Sequence, residues 1–237
     1  MPVQLAELAI HIPPSIVLFE KYGFNYYQNG SQTLKEACVQ KGLDFNAIDK
    51  ELAHLKKIQA GHFTMEDMDL NVLIDRINGQ HHDHEAEILL DMIADTQALL
   101  KDGNTDSGQI KALELIESKF NYLKERLLMH CDKEDKVLFP LIRKIGPLQK
   151  DRSPQFKGTI TEIRELVKVL ETEHMESISL IAELRGLLLN YDSAGSVSKG
   201  FPVLMAHFND FELDFHVHIH IENNVLFPRI REMAEKS

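Results

Sequence analysis

His130 and Glu134 stand four residues apart, and 88 positions further on His218 and Glu222 repeat the pair. Each pair opens the same phrase, H-x3-E-x2-V-L-F-P-x-I-R, so that Val137, Leu138, Phe139, Pro140, Ile142 and Arg143 are matched by Val225, Leu226, Phe227, Pro228, Ile230 and Arg231. Four residues along an α-helix return nearly to the same face one turn on, so an imidazole and a carboxylate at this spacing offer two metal ligands from one side. A strand would set both groups among neighbours of alternating exposure, and the motif therefore predicts helix. A single such pair is ordinary on a helix surface; two copies with a shared tail predict a symmetric site.

Upstream of each copy lies another helical stretch with one further candidate, His82 in HHDHEAEILL and His174 in ETEHMESISLI, 48 and 44 residues ahead. Two helical hairpins related by an internal twofold would then supply four imidazoles and two carboxylates, a dinuclear ligand set. Neutral imidazoles with carboxylates able to bridge suit borderline divalent ions, iron first, with zinc or manganese able to take the same donors. Six protein ligands on two ions leave coordination positions for water, oxide or a diatomic ligand, which makes the site reactive rather than purely structural.

Several residues near these ligands have plainer readings. Spacing does not fix the register among His81, His82 and His84, because adjacent helical residues point about 100° apart; His82 is taken as the ligand and the other two as solvated. His216 and His220 share a face opposite His218, and the repeat together with Glu222 selects His218. The repeated Val-Leu-Phe is expected to wall the site, while Pro140 and Pro228 each remove a backbone hydrogen bond and are expected to bend the helix and set the end of the bundle. Within the long helical segments Glu-x-x-His, the mark of ferritin-like carboxylate bundles, occurs at Glu171 and His174 but not in the doubled form those sites need.

The elements that must hold the ligands can be drawn from hydrophobic periodicity. Residues 67–101, 108–145, 153–190 and 198–234 form four long periodic segments separated by the polar stretches DGNTDS, GPLQKDR and YDSAGSV, and the candidates fall near each midpoint. Short connections make successive helices antiparallel neighbours, so an up-down-up-down four-helix bundle over 67–237 would bring the candidates to one level. Residues 1–58 read as a small domain of short helices, broken by Pro13-Pro14, the turn-rich Asn25–Gly30 and Gly42, with Thr33 and Glu36 as a capping box. The linker IQAGHFTME follows.

Composition bounds the rest. Twenty-six Lys and Arg against 37 Asp and Glu give a net charge of −11, which repels nucleic-acid backbones and anionic membranes. Two cysteines, Cys38 and Cys131, are too few for a disulfide framework and lack zinc-finger spacing. With no secretory leader and no apolar run of membrane-spanning length, a cytoplasmic location is expected.

These residues resemble those of hemerythrin-like di-iron bundles, and in particular the repair-of-iron-centres family, whose H-x3-E and NVLFPR ending appears here at His218 to Arg229. The stretch ELAIHIPPSIVLFEKYGFNYYQNGSQTL is similar to that family's small N-terminal domain, so the resemblance covers the whole chain. It implies an all-α protein with a metal set of His82, His130, Glu134, His174, His218 and Glu222, an oxo- or hydroxo-bridged pair of non-haem irons, and restoration of damaged iron-sulfur clusters under nitrosative or oxidative stress. Its partners would be damaged iron-sulfur proteins and small diatomic ligands, nitric oxide or oxygen. One departure stands out: Tyr27 and Gln28 occupy the place where the family commonly has adjacent cysteines, so thiol chemistry cannot run there. Rival readings are a module that reversibly binds or senses oxygen or nitric oxide, and a reductase of nitric oxide or peroxide in which Glu173 or Glu125 moves protons. No catalytic residue is assigned, turnover as an enzyme stays open, and so does the oligomeric form, a homodimer included.

Overall fold

The computed structural model describes residues 3–28, 30–59, 65–101, 107–148, 154–193 and 199–235, and these are all-α, with no strand among them. Two compact units are formed, one from Met1–Ile74 with His216–Ser237 and the other from Asp75–Phe215. No helix among the described residues is long and apolar enough to cross a membrane.

The first unit begins with four helices, α1 (Leu5–His11), α2 (Ser15–Tyr22), α3 (Leu34–Lys41) and α4 (Phe45–Gln59). Their boundaries follow local chemistry. Helix α2 stops at Gly23, whose φ of 63° is a left-handed conformation that glycine adopts without a Cβ clash. Thr33 and Glu36 close the expected capping box on α3, and Gly42, at φ 66°, ends it. Between α2 and α3 the Asn25 side-chain oxygen accepts from the backbone N–H of Gln28 at 2.9 Å, turning the chain. Leu5, Phe19, Tyr26 and Cys38 lie fully buried at the centre of this unit, so Cys38 is a small core residue.

Four longer helical runs follow, lying mainly in the second unit. The first continues from α5 (Leu70–Arg76) through a π-helical turn, Ile77–His82, into α6 (Asp83–Lys101). The second is α7 (Ser107–Lys133), a π-helical turn, Glu134–Leu138, and α8 (Phe139–Leu148); the third is α9 (Pro154–Ser193). The fourth is α10 (Phe201–Ile221), followed in the first unit by a π-helical turn, Glu222–Leu226, and α11 (Phe227–Glu235). The four periodic segments of the sequence therefore exist as helix. Residues 60–64, 102–106, 149–152 and 194–197 of the four expected linkers lie outside the described residues. Within the unit α6 packs on α7 and α7 on α9. Phe120 meets Phe208 at 6.2 Å, Arg185 of α9 pairs with Glu212 of α10, and His207 reaches Asp95 at 2.7 Å, tying the fourth run to the others.

Burial along these helices alternates in steps of three and four. On α9 the buried seam runs through Phe156, Ile160, Ile163, Val167, Leu170, His174, Ser177, Ile181, Leu184, Leu188 and Tyr191, with Leu180 buried beside it, a heptad seam interrupted by one imidazole and one hydroxyl. This is the 3.5-residue period of helices packed nearly parallel to their neighbours. Helix α7 buries Leu113, Ile116, Phe120, Leu123, Leu127 and then His130 and Glu134; α10 buries Phe201, Leu204, Phe208, Phe211, Phe215 and then His218 and Glu222. The duplication thus runs the full length of the seam, each position matched 88 residues later.

Candidate metal centre

The ligand-type residues occupy seam positions where the packing wants a hydrocarbon. In the second unit His82, His130 and His174 are 7%, 4% and 2% exposed and Glu134 is fully buried. His130 Nε2 lies 2.9 Å from His174 Nε2, and Glu134 Oε2 lies 3.3 Å from His82 Nε2 and 3.5 Å from His130 Nε2. Two donors each about 2.1 Å from one ion at a right angle stand about 3.0 Å apart, so the imidazole pair has the separation of cis ligands. Neither Glu134 oxygen has a hydrogen-bond partner among the described residues, although both are buried. An ionised carboxylate in that position is costly unless a cation meets it, and this orphaned pair of oxygens beside three imidazoles fits a metal ion.

Carboxylates behind the imidazoles orient them. His82 Nδ1 faces Asp135 Oδ1 at 3.0 Å, and His130 Nδ1 faces Glu173 Oε2 at 3.0 Å, so each Nδ1–H donates outward and each Nε2 lone pair points inward. Glu173 also pairs with Lys133; the hydrogen bond from His130, helped by Lys133, pushes its carboxyl down to about 2 despite partial burial. At His82 burial opposes a charge, but Asp135, Cys131 and the nearby Glu134 carboxylate outweigh it and raise its pKa. Phe139 lies over His82 with ring centroids 6.0 Å apart and nearly parallel, walling this side.

In the first unit His218 and Glu222 are fully buried, and His218 Nε2 stands 3.4 Å from Glu222 Oε1, the intrahelical approach seen again in His130 and Glu134. His216 stacks on Tyr27 at 3.8 Å between centroids and faces Glu20 at 3.0 Å, and Glu20 also accepts from the Tyr26 hydroxyl at 3.0 Å. His220 meets Tyr26 edge-on at 5.2 Å, and burial pushes its pKa down to about 4. Asn224 donates to the carbonyls of Tyr26 and Tyr27.

Four expectations need correction. His81 is not solvated: it is 4% exposed and bound to Asp214 at 3.0 Å, because α10 covers a face of the helix that a lone-helix argument leaves open. Glu173 is likewise bound to His130 rather than lying on a solvated surface, whereas His84 is partly exposed beside Asp210 and Glu125 is exposed. Val137 points outward at 42% exposure while Leu138, Phe139, Val225, Leu226 and Phe227 are buried, so the wall is not duplicated residue for residue. Pro140 and Pro228 do not end their helices. A π-helical turn precedes each, with Phe139 N–H bonded to the Glu134 carbonyl and Phe227 N–H to the Glu222 carbonyl, five residues back. The proline then sits in the first turn of the resumed helix, where its missing N–H costs little.

Among the described residues all three π-helical turns abut a ligand candidate, ending at His82 or starting at Glu134 and Glu222. Such turns concentrate at functional sites. They and Asp135 escaped the sequence reading. For Asp135 the only signal was its place beside Glu134, and the repeat gave no help, since Asn223 stands at the matching position.

The family described as hemerythrin HHE cation binding domain matches the chain twice, over residues 28–142 and 72–230. This chain belongs to that family. Among its relatives, the iron-sulfur cluster repair protein YtfE of Enterobacter sp. (strain 638) is 28% identical over 225 residues, 95% of this chain and 94% of that one. The proteins of the same name from Escherichia coli O1:K1 / APEC and Escherichia fergusonii are each 29% identical over the same shares. The family is a helical bundle that binds cations, and the buried His/Glu cluster of the second unit accords with that.

The carboxylates behind the imidazoles give a first test. Glu173→Gln weakens the grip on His130 without touching a ligand atom, and the expected result is metal affinity lowered by about 10- to 100-fold with the helical fold retained. Competition against a chelator of known affinity measures it, and an unchanged affinity would show that Glu173 is only a surface partner of Lys133.

Proposed function

We propose that this is a cytoplasmic di-iron protein of iron-sulfur cluster repair, in which His82, His130, Glu134, His174, His218 and Glu222 together hold two iron ions. What carries the reading is the likeness, over nearly the whole chain, to relatives named as iron-sulfur cluster repair proteins, joined to buried His-x3-Glu pairs on two helices. Residues 1–58 form its small helical domain and 67–237 its bundle, and the substrates are iron-sulfur proteins damaged by nitrosative or oxidative stress. Bound there, iron would supply both a redox-active pair and an ion that can be handed over. The protein's own residues do the rest: Asp135 and Glu173 fix which imidazole nitrogen faces inward, the apolar seam excludes water, and Glu134 and Glu222 would serve as the carboxylate ligands.

The experiment is iron transfer. Iron-loaded protein mixed anaerobically with a cluster protein damaged by nitric oxide should restore the acceptor's cluster spectrum while losing iron itself. No restoration by the loaded protein refutes the donor role. A second reading, reversible binding or sensing of nitric oxide or oxygen, is favoured by one observation: Tyr27, at the family's cysteine position, stacks on His216 and offers no thiol. Stable ligand binding without iron loss would support that reading instead.

A further inference from the structure

A second group of metal-type donors lies in the Asp75–Phe215 unit. His81, Glu85 and Asp214 each present a donor atom, all within 4.8 Å of one another. His81 and Glu85 stand four apart on the first helical run, a further His-x3-Glu beside the two already described; Asp214 reaches them from α10. His81 is 4% exposed and Glu85 fully buried, while the Asp214 side chain keeps 20% exposure. The cluster is therefore closed on the protein side and open at the aspartate. His81 Nδ1 faces Asp214 Oδ1 at 3.0 Å, and the other Asp214 oxygen is buried with no hydrogen-bond partner among the described residues.

Packing does not ask for a carboxylate at residue 85. A shift of 92 residues aligns Leu89, Met92, Thr96 and Leu99 of α6 with the buried Ile181, Leu184, Leu188 and Tyr191 of α9, and it sets His82 against His174 and Glu85 against Ser177. A small neutral side chain serves the same seam position in α9. Glu85 and Asp214 bring two carboxylates beside the His81 imidazole, a donor set that a dication can hold together.

We propose that His81, Glu85 and Asp214 form a separate site for one divalent cation of the ferrous or manganous class. One imidazole with two carboxylates is a mixed nitrogen and oxygen set suited to such ions rather than to thiophilic ones. Three protein ligands leave positions for water, and the partly exposed aspartate leaves a way in and out, so the ion exchanges more readily than one held wholly inside the seam. The site stands apart from the proposed repair function and does not depend on it.

Manganese(II) alone is the probe, titrated into metal-free full-length protein with the free ion read by electron paramagnetic resonance. Glu85→Gln with Asp214→Asn should bind one equivalent fewer than the natural chain, and the affinity of the remaining equivalents should stay the same. Glu134→Gln with Glu222→Gln should still bind the equivalent that the first pair loses. Equal stoichiometry in the natural chain and the Glu85/Asp214 variant overturns the site, whereas equal stoichiometry in the natural chain and the Glu134/Glu222 variant overturns only the six-ligand reading. Should the Glu85/Asp214 double variant fail to fold, His81→Gln gives the same comparison, with one equivalent lost expected and none lost fatal to the proposal.

Discussion

Protein from iron-replete cells should carry about two irons per chain, and His174→Ala or His218→Ala should leave at most one. The expectation rests on where these imidazoles sit. His174 is one of eleven seam positions on α9, and His218 closes the seam of α10; both are almost wholly buried among hydrocarbon side chains. An imidazole there has no water to fall back on, so its loss removes a ligand that nothing nearby can replace. At His174 the change also leaves His130 Nε2 without the neighbour that faces it at 2.9 Å. His84→Ala is the matched control, because that side chain is 40% exposed and removing it should change neither metal content nor stability measurably. Elemental analysis of anaerobically purified protein decides the matter. Two irons retained in His218→Ala would sink the paired-ligand assignment, and one iron in the natural protein at saturation would sink the dinuclear reading.

The second large effect is a change of sign. Glu134→Gln and Glu222→Gln should each lower metal retention and weaken the exchange coupling between the irons, since an amide carries no charge and bridges poorly. Yet the metal-free forms of both variants should be at least as stable as the metal-free natural chain, by up to about 1 to 3 kcal/mol, because a buried carboxylate without its cation is a net cost. Glu134 and Glu222 are both fully buried, so solvent does not relieve that cost. Loaded protein should therefore rank natural above variant in thermal unfolding, and stripped protein should rank them equal or reversed. Circular dichroism should remain helical throughout, since the apolar seams hold the helices. An intact coupled spectrum in both variants would refute the bridging role; stripped variants that melt far below the natural chain would show that the glutamates serve packing instead.

Much of this was legible in the residues before any coordinates. Helical period over four long segments is a strong signal, since each buries one stripe for five turns or more, and the observed helices match it closely. The duplicated phrase pointed to His130, Glu134, His218 and Glu222 through spacing alone. For His174 a firmer argument was available: the three-and-four rhythm from Phe156 to Tyr191 places it in an apolar stripe, where an imidazole needs a reason. What stayed hidden was of two kinds. Burial of His81 depends on a neighbour 133 residues away, Asp214, and a helix considered alone cannot reveal how many of its faces are covered. The π-helical turns depend on a slip of one residue. Buried positions step through Leu127, His130 and Glu134, and then resume at Leu138, Ile142 and Ile145, one later than the rhythm would place them.

That slip is a dislocation in the sense used for crystals, a line where regular order on one side is offset from regular order on the other. An added residue rotates everything beyond it by about 100° about the helix axis. The helical halves on either side of Glu134, and again of Glu222, are thus phased independently, each to its own surroundings. The glutamate sits on the fault itself, where the ordinary ladder of bonds four residues back is already replaced by one reaching five back. Small rotations of that carboxylate need break no bond in the regular helix before or after it. Doubling of the chain copied the fault along with the ligand, which is why the same misfit recurs 88 residues later and why a one-residue deletion across either fault would mend the helix while turning its far half out of register.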